Sequence, residues 1–495
     1  MRTARWITQN KITVTGGLAA AAATVGEGVE CARFDFETER HFYAHFKEGA
    51  MKQRIQLSDH FTFSRLIRFV LPSIAMMLCT SLYSIVDGFF VSNYAGKTSF
   101  AAVNLMMPVL MAVASIGFMI GTGGTAIVAR KLGEGEKENA NRYFSMLVYV
   151  GILLSTIVSV AGFVFMPSIA RLLKADGKLL EDSVLYGRIL FAFLPASALQ
   201  NIFQAFFVTA EKPHLSFRFS IGAGLANMLL DYLFVGVFEW GLAGAAVATG
   251  IGQIIGGILP LIYFAVPNNS LLRLVKTGFE SRVLLQSFGN GSSEMVSTIS
   301  SSIVGIFYNY QLLRFAGEDG VAAYGVIMYV NFIFAAIFIG YAIGSAPLVS
   351  YHYGAENHPE LTNLYRKSLS LIGIVSVVMF ALSELLSSPL VSLYVSYDKE
   401  LFDMTVKGFR IYSSMFLILG FNIWGSSFFT ALGNGVVSAL ISFLRTLVFQ
   451  LASLILLPEL WQIDGVWWSA VVAEVLALVL TVFFLVCKKK KYHYA

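Results

Sequence analysis

The sequence predicts an all-α integral membrane protein with twelve transmembrane helices in two six-helix bundles, related by a pseudo-twofold axis along the membrane normal. The first observation is composition: of 495 residues, 56% are hydrophobic and only 13% are charged, whereas average soluble domains are about 25% charged. The mean hydropathy is +0.70. The second is that apolar runs of about 20 residues, enough to cross roughly 30 Å of hydrocarbon, recur along the chain. The third is that the sequence matches itself at one fixed offset.

The apolar runs give twelve predicted spans in order along the chain. They cover residues 65–92, 100–129, 143–168, 184–209, 215–238, 241–266, 285–314, 321–351, 366–394, 408–431, 436–457 and 463–487. Backbone groups in lipid have to be hydrogen-bonded internally, which leaves only helices or closed barrels. These runs are too long and alternate too little to be barrel strands, so we predict that every span is a helix.

Residues 1–50 do not continue this pattern. They contain an alanine run that is too short for a span, followed by the acidic stretch FDFETER, which argues against a signal peptide. We expect this extension to be disordered, or not to be translated naturally, with Met51 as the natural start. The residues KEGA at 47–50 are what a purine-rich ribosome-binding site would give if it were translated.

The rest of the chain is predicted to form an N-terminal six-helix lobe at 51–270 and a C-terminal six-helix lobe at 271–495, which ends in a basic cytoplasmic tail. At an offset of 221 residues, Gly123 meets Gly344 and Gly133 meets Gly354 without any gap. Six helices return the chain to its starting side, so the two lobes have the same orientation. Parallel repeats of this kind are typical of transporters that bind substrate between the lobes.

The connections that share a side with the two termini are richer in Lys and Arg, so we predict that both termini are cytoplasmic. We expect a monomeric, multi-pass protein of a bacterial cell membrane, in contact with the lipid bilayer. The same loop bias accounts for the net charge of +5, and no nucleic-acid partner is expected. Cys31, Cys79 and Cys487 show no paired spacing, so neither a disulfide framework nor a cysteine metal site is predicted.

One carboxylate stands out in the first span, within YSIVDGFFVSN at 83–93. An aspartate such as Asp87 near the centre of a membrane helix costs roughly 2.5 to 3.5 kcal/mol on insertion scales. In the fifth span, Asn227 and Asp231 are four residues apart and share a helix face. With Thr249 in the sixth span and Tyr83 one turn before Asp87, they are predicted to lie in the outer half of the first lobe.

Two carboxylates close together do not both ionise cheaply, so this cluster is suited to bind a proton, or a sodium ion held by carboxylate, amide and hydroxyl oxygens. We predict no other metal ion and no cofactor. The alternative is that Asp87 only caps a backbone group or pairs with a serine. Intramembrane acids are functional by default, which favours the binding site.

The stretches YSIVDGFFVSNYAGKTSFAAVN, GTGGTAIVARKLGEGEKENA, ANMLLDYLF, GLAGAAVAT and FFTALGNG resemble the MATE family, the multidrug and toxic compound extrusion transporters. The resemblance covers about residues 60–487. It implies export of cationic or amphipathic organic compounds in exchange for H⁺ or Na⁺. It also implies a cation site formed by Tyr83, Asp87, Asn227, Asp231 and Thr249, with Gln204 as a further member. Finally, it implies a hinge in helix 1 at Pro72.

Glu294, Arg445 and Glu474 are charged residues inside spans of the second lobe. One interpretation is a second site for substrate or cation. The other is an internal ion pair of Arg445 with Glu474 or Glu294 that stabilises the lobe.

Two other functional classes remain to be weighed. A lipid or polysaccharide-precursor flippase of the same superfamily should have a strongly basic central cavity, whereas most of the charges placed in the spans are acidic. An enzyme would need clusters of His, Cys or acidic residues with catalytic or metal-binding spacing, and none of the seven histidines falls in mid-membrane. We therefore predict a transporter without enzymatic activity.

Overall fold

The computed structural model describes residues 55–91, 94, 97–395 and 398–495. Within these ranges the secondary structure is helical and no strand is present. The helices are joined by short connections, except that a longer non-helical segment, residues 266–280, lies between Ala265 and Ser281. The prediction made for residues 1–50 lies outside the described residues.

Six helices build the first bundle, and each matches a predicted span. They are α1 (Phe63–Phe90), α2 (Lys97–Gly133), α3 (Lys137–Leu172), α4 (Gly177–Thr209), α5 (Pro213–Asp231, continued by a π-helical segment, Tyr232–Val237) and α6 (Gly241–Ala265).

The second bundle begins with a 74-residue helix, Ser281–Gly354, that is broken at Gly317. Gly317 has a φ of 62°, which a residue with a Cβ rarely adopts. The break gives α7 (residues 281–316) and α8 (residues 318–354), and α9 follows at His358–Val395.

The last three helices contain a bend, a π-helical segment and a second break. Helix α10 consists of Lys399–Ser413 and Phe416–Ala431, which meet at 46°. Helix α11 consists of Gly435–Phe443, the π-helical Leu444–Phe449 and the start of Gln450–Tyr492, up to residue 461. A non-helical conformation at Gln462 ends α11, and α12 is residues 463–492.

The number of spans agrees with the sequence. In the described ranges, nine helices are long and apolar enough to cross a membrane, or ten if the bent pair in α10 is one span. Two of these are divided at Gly317 and Gln462. Counting their parts separately gives the twelve predicted spans.

The two bundles meet through glycines that the repeat relates to each other. A Cβ at Gly133 in α2 would overlap the carbonyl oxygen of Tyr351 in α8, and a Cβ at Gly354 in α8 would overlap that of Arg130 in α2. Because Gly354 stands 221 positions after Gly133, these two contacts are equivalent under the pseudo-twofold symmetry. The axis therefore passes between them.

The same symmetry governs the contacts further into the bundle. A Cβ at Gly123 would lie 2.6 Å from the Gly291 nitrogen in α7, and one at Gly344 would lie 3.0 Å from Val70 Cβ in α1. A Cβ at Gly340 would lie 2.8 Å from the Ser73 carbonyl oxygen. Small residues let membrane helices approach backbone to backbone. We call the contacts of Gly123, Gly133, Gly291, Gly340, Gly344 and Gly354 the glycine seam.

A short segment before α1 ties the two bundles at the Gly133 end of the seam. The Leu57 backbone N–H donates to the Glu211 carboxylate of the first bundle over 2.7 Å. The Phe61 N–H donates to the Glu360 carboxylate of α9 over 2.9 Å, and the Asn363 amide donates to the Phe61 carbonyl over 3.0 Å. Because Phe61 is fully buried, this segment is a packed part of the interface between the bundles.

Candidate cation site

Side chains from α1, α5 and α6 meet around Asp87 in the last turn of α1. The Thr249 hydroxyl in α6 donates to Asp87 Oδ1 over 3.4 Å, and the Asn227 amide in α5 donates to Thr249 Oγ1 over 3.5 Å. Both distances are long for hydrogen bonds. The polar groups are therefore adjacent without being held tightly by one another.

Asp231 contributes the second carboxylate of this cluster. Its side chain is fully buried, and it interacts electrostatically with Asp87. Among the described residues no donor group is hydrogen-bonded to its carboxylate oxygens or to Asn227 Oδ1, and the group within hydrogen-bonding reach of its carboxyl is the Asp87 carboxyl. Burying polar oxygens without partners is costly, so this group of acceptors is chemically suited to a proton or a small cation.

The helix that carries Asp231 changes its geometry directly after it. The π-helical segment Tyr232–Val237 begins at the next residue. Single π-helical turns inside α-helices are frequent at functional sites. Here it follows the buried carboxylate without an intervening residue.

Tyr83 lies on α1 one turn before Asp87 and is surrounded by two other helices. A Cβ at Gly224 in α5 would lie 3.0 Å from its Cδ1, so that glycine makes room for the ring. The Gln200 side chain in α4 is within hydrogen-bonding reach of the Tyr83 hydroxyl. Gln200 also packs against Gly256 of α6, where a Cβ would lie 2.6 Å from its Cδ.

Gln204 was expected at this site from the family resemblance, whereas Gln200 was not. Gln204 is buried one turn further along α4, and no hydrogen bond found in the described ranges joins its side chain to the cluster. The two glutamines are four residues apart and share a helix face, which was the available signal for Gln200. The cluster thus contains Tyr83, Asp87, Asn227, Asp231 and Thr249, with Gln200 beside Tyr83.

Pro72 lies inside α1, which is continuous from Phe63 to Phe90. Ser73, the next residue, belongs to the glycine seam through Gly340. The helix is unbroken here, and the hinge at Pro72 stays a prediction.

The second bundle has a neutral cluster at the equivalent position. Tyr308 stands 221 positions after Asp87. Its hydroxyl is hydrogen-bonded to Ser469 over 2.8 Å, and Gln450 donates to it over 2.6 Å. Tyr308 also stacks on Tyr324, with ring centroids 4.7 Å apart. The carboxylates belong to the first bundle, and the matching place in the second is filled by neutral groups that bond to each other.

The charged residues of the second bundle form a different arrangement. Arg445 Nε donates to the two carboxylate oxygens of Glu474 over 2.8 and 3.1 Å, and the Asn422 amide donates to Glu474 Oε2 over 2.7 Å. Glu294 interacts electrostatically with Arg445, but in the described part of the chain no hydrogen bond joins the two. Arg445 therefore forms an internal ion pair with Glu474, and Glu294 is left beside that pair.

Comparison with known proteins connects this architecture to one family. The sequence profile of the MatE family matches residues 72–233 and 294–455, two segments of equal length that together make up more than half of the chain. Multidrug export protein MepA of Staphylococcus haemolyticus is 22% identical over 433 residues, which is 87% of this chain and 95% of that protein.

Solved structures show the same fold. The crystal structure of MATE in complex with MaL6 is 20% identical, with a TM-score of 0.84, and the match covers 90% of this chain and 100% of that one. The outward-facing conformation of a multidrug resistance MATE family transporter of the MOP superfamily is also 20% identical, with a TM-score of 0.84, over 90% and 99% of the two chains.

Proposed function

The chain belongs to the MatE family of membrane transporters, and on this premise we propose that it is a secondary antiporter. It exports cationic or amphipathic organic compounds in exchange for H⁺ or Na⁺. Tyr83, Asp87, Asn227, Asp231 and Thr249 form the site of the coupling ion, and no further cofactor takes part. The MepA relative is a multidrug export protein, which supports this choice of substrate.

The observation that carries the proposal is the pair of buried carboxylates. Asp231 is fully buried, no donor group among the described residues is hydrogen-bonded to its oxygens, and it lies within electrostatic reach of Asp87. Two ionised carboxylates in such a site repel each other and lack compensation. A proton on one of them, or a sodium ion between them, removes both problems. The site therefore binds its ligand most strongly when that ligand is positive.

Coupling follows from competition for this negative charge. Each entering proton or sodium ion carries one charge, which is worth about 2.3 kcal/mol for each 100 mV of membrane potential. When that ion neutralises Asp87 or Asp231, the attraction of the bundle for an organic cation decreases, and the cation is released outside. Release of the ion on the inner side restores the negative site for the next cycle.

Glu294 is a second candidate for contact with substrate or cation. Arg445 and Glu474 neutralise each other, and Asn422 supports Glu474. Glu294 keeps its carboxylate outside that pair, within electrostatic reach of Arg445. In this proposal Arg445 and Glu474 stabilise the second bundle, and Glu294 is its titratable group.

The flippase alternative is less well supported by the charges. A pyrophosphate head group would need several free basic side chains in the interior. In the two clusters described above, four side chains are acidic and the single basic one, Arg445, is bonded to Glu474. An interior of this polarity favours cationic over anionic substrates.

The same proposal places the protein in a bacterial cell membrane as a monomer with both termini cytoplasmic. The basic residues Lys488–Lys491 at the end of α12 support this orientation, because cytoplasmic connections carry an excess of Lys and Arg. The Gly133 end of the glycine seam is then the cytoplasmic end.

Transport in sealed vesicles tests the proposal. The purified full chain is reconstituted, ethidium is supplied as a model organic cation, and a proton gradient and a sodium gradient are imposed separately at zero membrane potential. We expect one of the two gradients, dissipated with the matching ionophore as control, to drive ethidium movement. Ethidium movement that depends on neither gradient would overturn the antiport mechanism.

A further inference from the structure

Four buried hydroxyl groups between α10 and α11 form a continuous hydrogen-bonded chain. Thr430 Oγ1 is bonded to Ser438 Oγ over 2.7 Å, Ser438 Oγ to Ser426 Oγ over 2.8 Å, and Ser426 Oγ to Ser442 Oγ over 2.9 Å. None of the four side chains is more than 8% exposed. We call Thr430, Ser438, Ser426 and Ser442 the hydroxyl chain.

The hydroxyl chain leads from one end of the second bundle toward its charged interior. Thr430 lies next to the last residue of α10, and Ser438 lies in the first turn of α11. At the other end, Ser426 is one turn from Asn422, which donates to Glu474, and Ser442 is three residues before Arg445. The spacing along the helix axis from Ser426 to Asn422, and from Ser442 to Arg445, is about one helical turn, or 5.4 Å, and Arg445 in turn interacts electrostatically with Glu294.

The first bundle has the same helices without this chain. Ser216 and Ser220 of α5 correspond to Ser438 and Ser442 at an offset of 222, and Thr209 of α4 corresponds to Thr430 at 221. Ala205, however, stands at the position of Ser426. Without that link, Thr209 Oγ1 is buried and has no partner among the described residues, and Ser216 donates to the Gln204 carbonyl instead.

The difference between the bundles indicates that helix packing alone does not explain the hydroxyl chain. If the hydroxyls only allowed the helices to approach, the alanine of the first bundle would serve equally well in the second. The first bundle also has its carboxylates in a different place, near the opposite ends of α1 and α5. The uninterrupted chain occurs in the bundle where an acid, Glu294, lies beside the Arg445–Glu474 pair.

We propose that the hydroxyl chain is a proton path between Glu294 and the end of the second bundle marked by Asn434, the residue directly before α11. This inference rests on the H⁺-coupled form of the function proposed above. A proton that leaves Glu294 is taken up by the hydroxyl oxygen nearest to it, and each hydroxyl passes its own proton to the next oxygen. One proton enters, one leaves at Thr430, and every hydroxyl is neutral again after its O–H has rotated back.

The charges around the path fit this role. Arg445 on α11 and Glu474 on α12 compensate each other, so the pair neither traps nor expels a passing proton. Glu294 on α7 is the other acid beside this pair, and in the described ranges its carboxylate is not hydrogen-bonded to Arg445. The path joins this acid to the Gly133 side of the molecule, where the compartment with the basic loops lies.

Replacing Ser426 tests the path with a residue that the fold already accepts at the equivalent position. Wild type, Ser426→Ala and the first-bundle control Thr209→Val are reconstituted in vesicles, and ethidium export under an imposed proton gradient is followed together with internal pH. We expect Ser426→Ala to slow ethidium export and the accompanying change of internal pH by about tenfold or more, with unchanged ethidium affinity in detergent. Thr209→Val is expected to behave as wild type.

A second readout separates proton transfer from a merely structural effect. Transport by wild type is expected to slow in D₂O, and Ser426→Thr, which restores a hydroxyl, is expected to recover most of the rate. A normal rate for Ser426→Ala while protons still drive wild type overturns the path and leaves antiport intact. If only sodium drives wild type, the path is wrong together with H⁺ coupling, and if neither ion does, the proposed function fails as well.

Discussion

Asp231 is fully buried in α5, and no donor group in the described part of the chain is hydrogen-bonded to its carboxylate oxygens. Its symmetry-related neighbourhood around Tyr308 is buried too, yet there the polar atoms bond to one another. Unsatisfied buried acceptors cost stability. In the first bundle, buried polar atoms at the proposed ion site therefore lack hydrogen-bond partners. At the corresponding place in the second bundle, where no ion site is proposed, the polar atoms have partners.

Asp231→Asn and Tyr308→Phe are expected to have opposite effects. Asp231→Asn removes a buried acid and should leave the melting temperature in detergent equal or higher, while ion-driven export is lost. Tyr308→Phe removes the acceptor of the Gln450 amide, whereas Ser469 keeps its bond to the Val466 carbonyl. The substitution should cost about 1 to 3 kcal/mol of stability, while export continues. Thermal unfolding and vesicle transport measure the two. A clear loss of stability in Asp231→Asn would mean that Asp231 supports the fold.

Several residues of the cluster could be predicted because their spacing restricts them. Asn227 and Asp231 are four apart on one helix, and Asp87 and Thr249 are polar groups at similar expected depth. Gln200 could not be separated from Gln204 in this way, because both lie on the same face of α4. Only the tertiary contacts with Tyr83 and Gly256 distinguish them.

At the scale of helices, the order and number of elements were predictable and their details were not. The prediction for α3 was 143–168, whereas the helix is Lys137–Leu172. Hydropathy reports only the part in hydrocarbon, and polar first turns such as that at Lys137 extend beyond it. The π-helical segments beside Asp231 and around Arg445 depend on packing with neighbouring helices, and no residue pattern indicated them.

The ion pair between α11 and α12 is expected to stabilise the second bundle without taking part in transport. Arg445→Ala should destabilise the second bundle by about 3 to 5 kcal/mol, because it leaves the buried Glu474 uncompensated. The double variant Arg445→Met with Glu474→Leu should be close to wild type in stability and should still export ethidium. Thermal unfolding of both variants in detergent, followed by transport, measures this. A double variant that folds and does not export would assign Arg445 or Glu474 to transport itself.

At the scale of the whole molecule, the glycine seam holds the two bundles together on the side of Gly133 and Gly354. Backbone carbonyls of α2 and α8 occupy the space that a side chain at either glycine would need. Alternating access between two such lobes requires one side to part while the other closes. The seam is the surface that has to separate when the molecule opens toward its basic loops.

Gly133→Val and Gly354→Val should both prevent the seam from closing. Val70 is 1% exposed. In a background without native cysteines, a cysteine at this position (Val70→Cys) should therefore react slowly with maleimide. Either valine variant should make this reaction faster and should abolish export. Gly305→Ala is the control, because a Cβ there meets nothing within 4 Å. An unchanged labelling rate in both valine variants would contradict a closing role for the seam.

The sequence repeat predicted the architecture but could not predict the seam. The self-match at 221 residues identified two pairs of equivalent positions, Gly133 with Gly354 and Gly123 with Gly344. Equivalence states which residues occupy corresponding places, and only the arrangement of the lobes decides that Gly133 and Gly354 face each other. The twelve spans and their pseudo-twofold relation follow from hydropathy and the repeat alone.

The proposed mechanism depends on one ion site, formed by oxygens from α1, α5 and α6, that couples export to a gradient. Ethidium export by wild type and by Asp87→Asn, reconstituted side by side under the driving gradient, tests it most directly. We predict that Asp87→Asn is folded, binds ethidium in detergent and exports none against its gradient. Export by Asp87→Asn at the wild-type rate would contradict the claim.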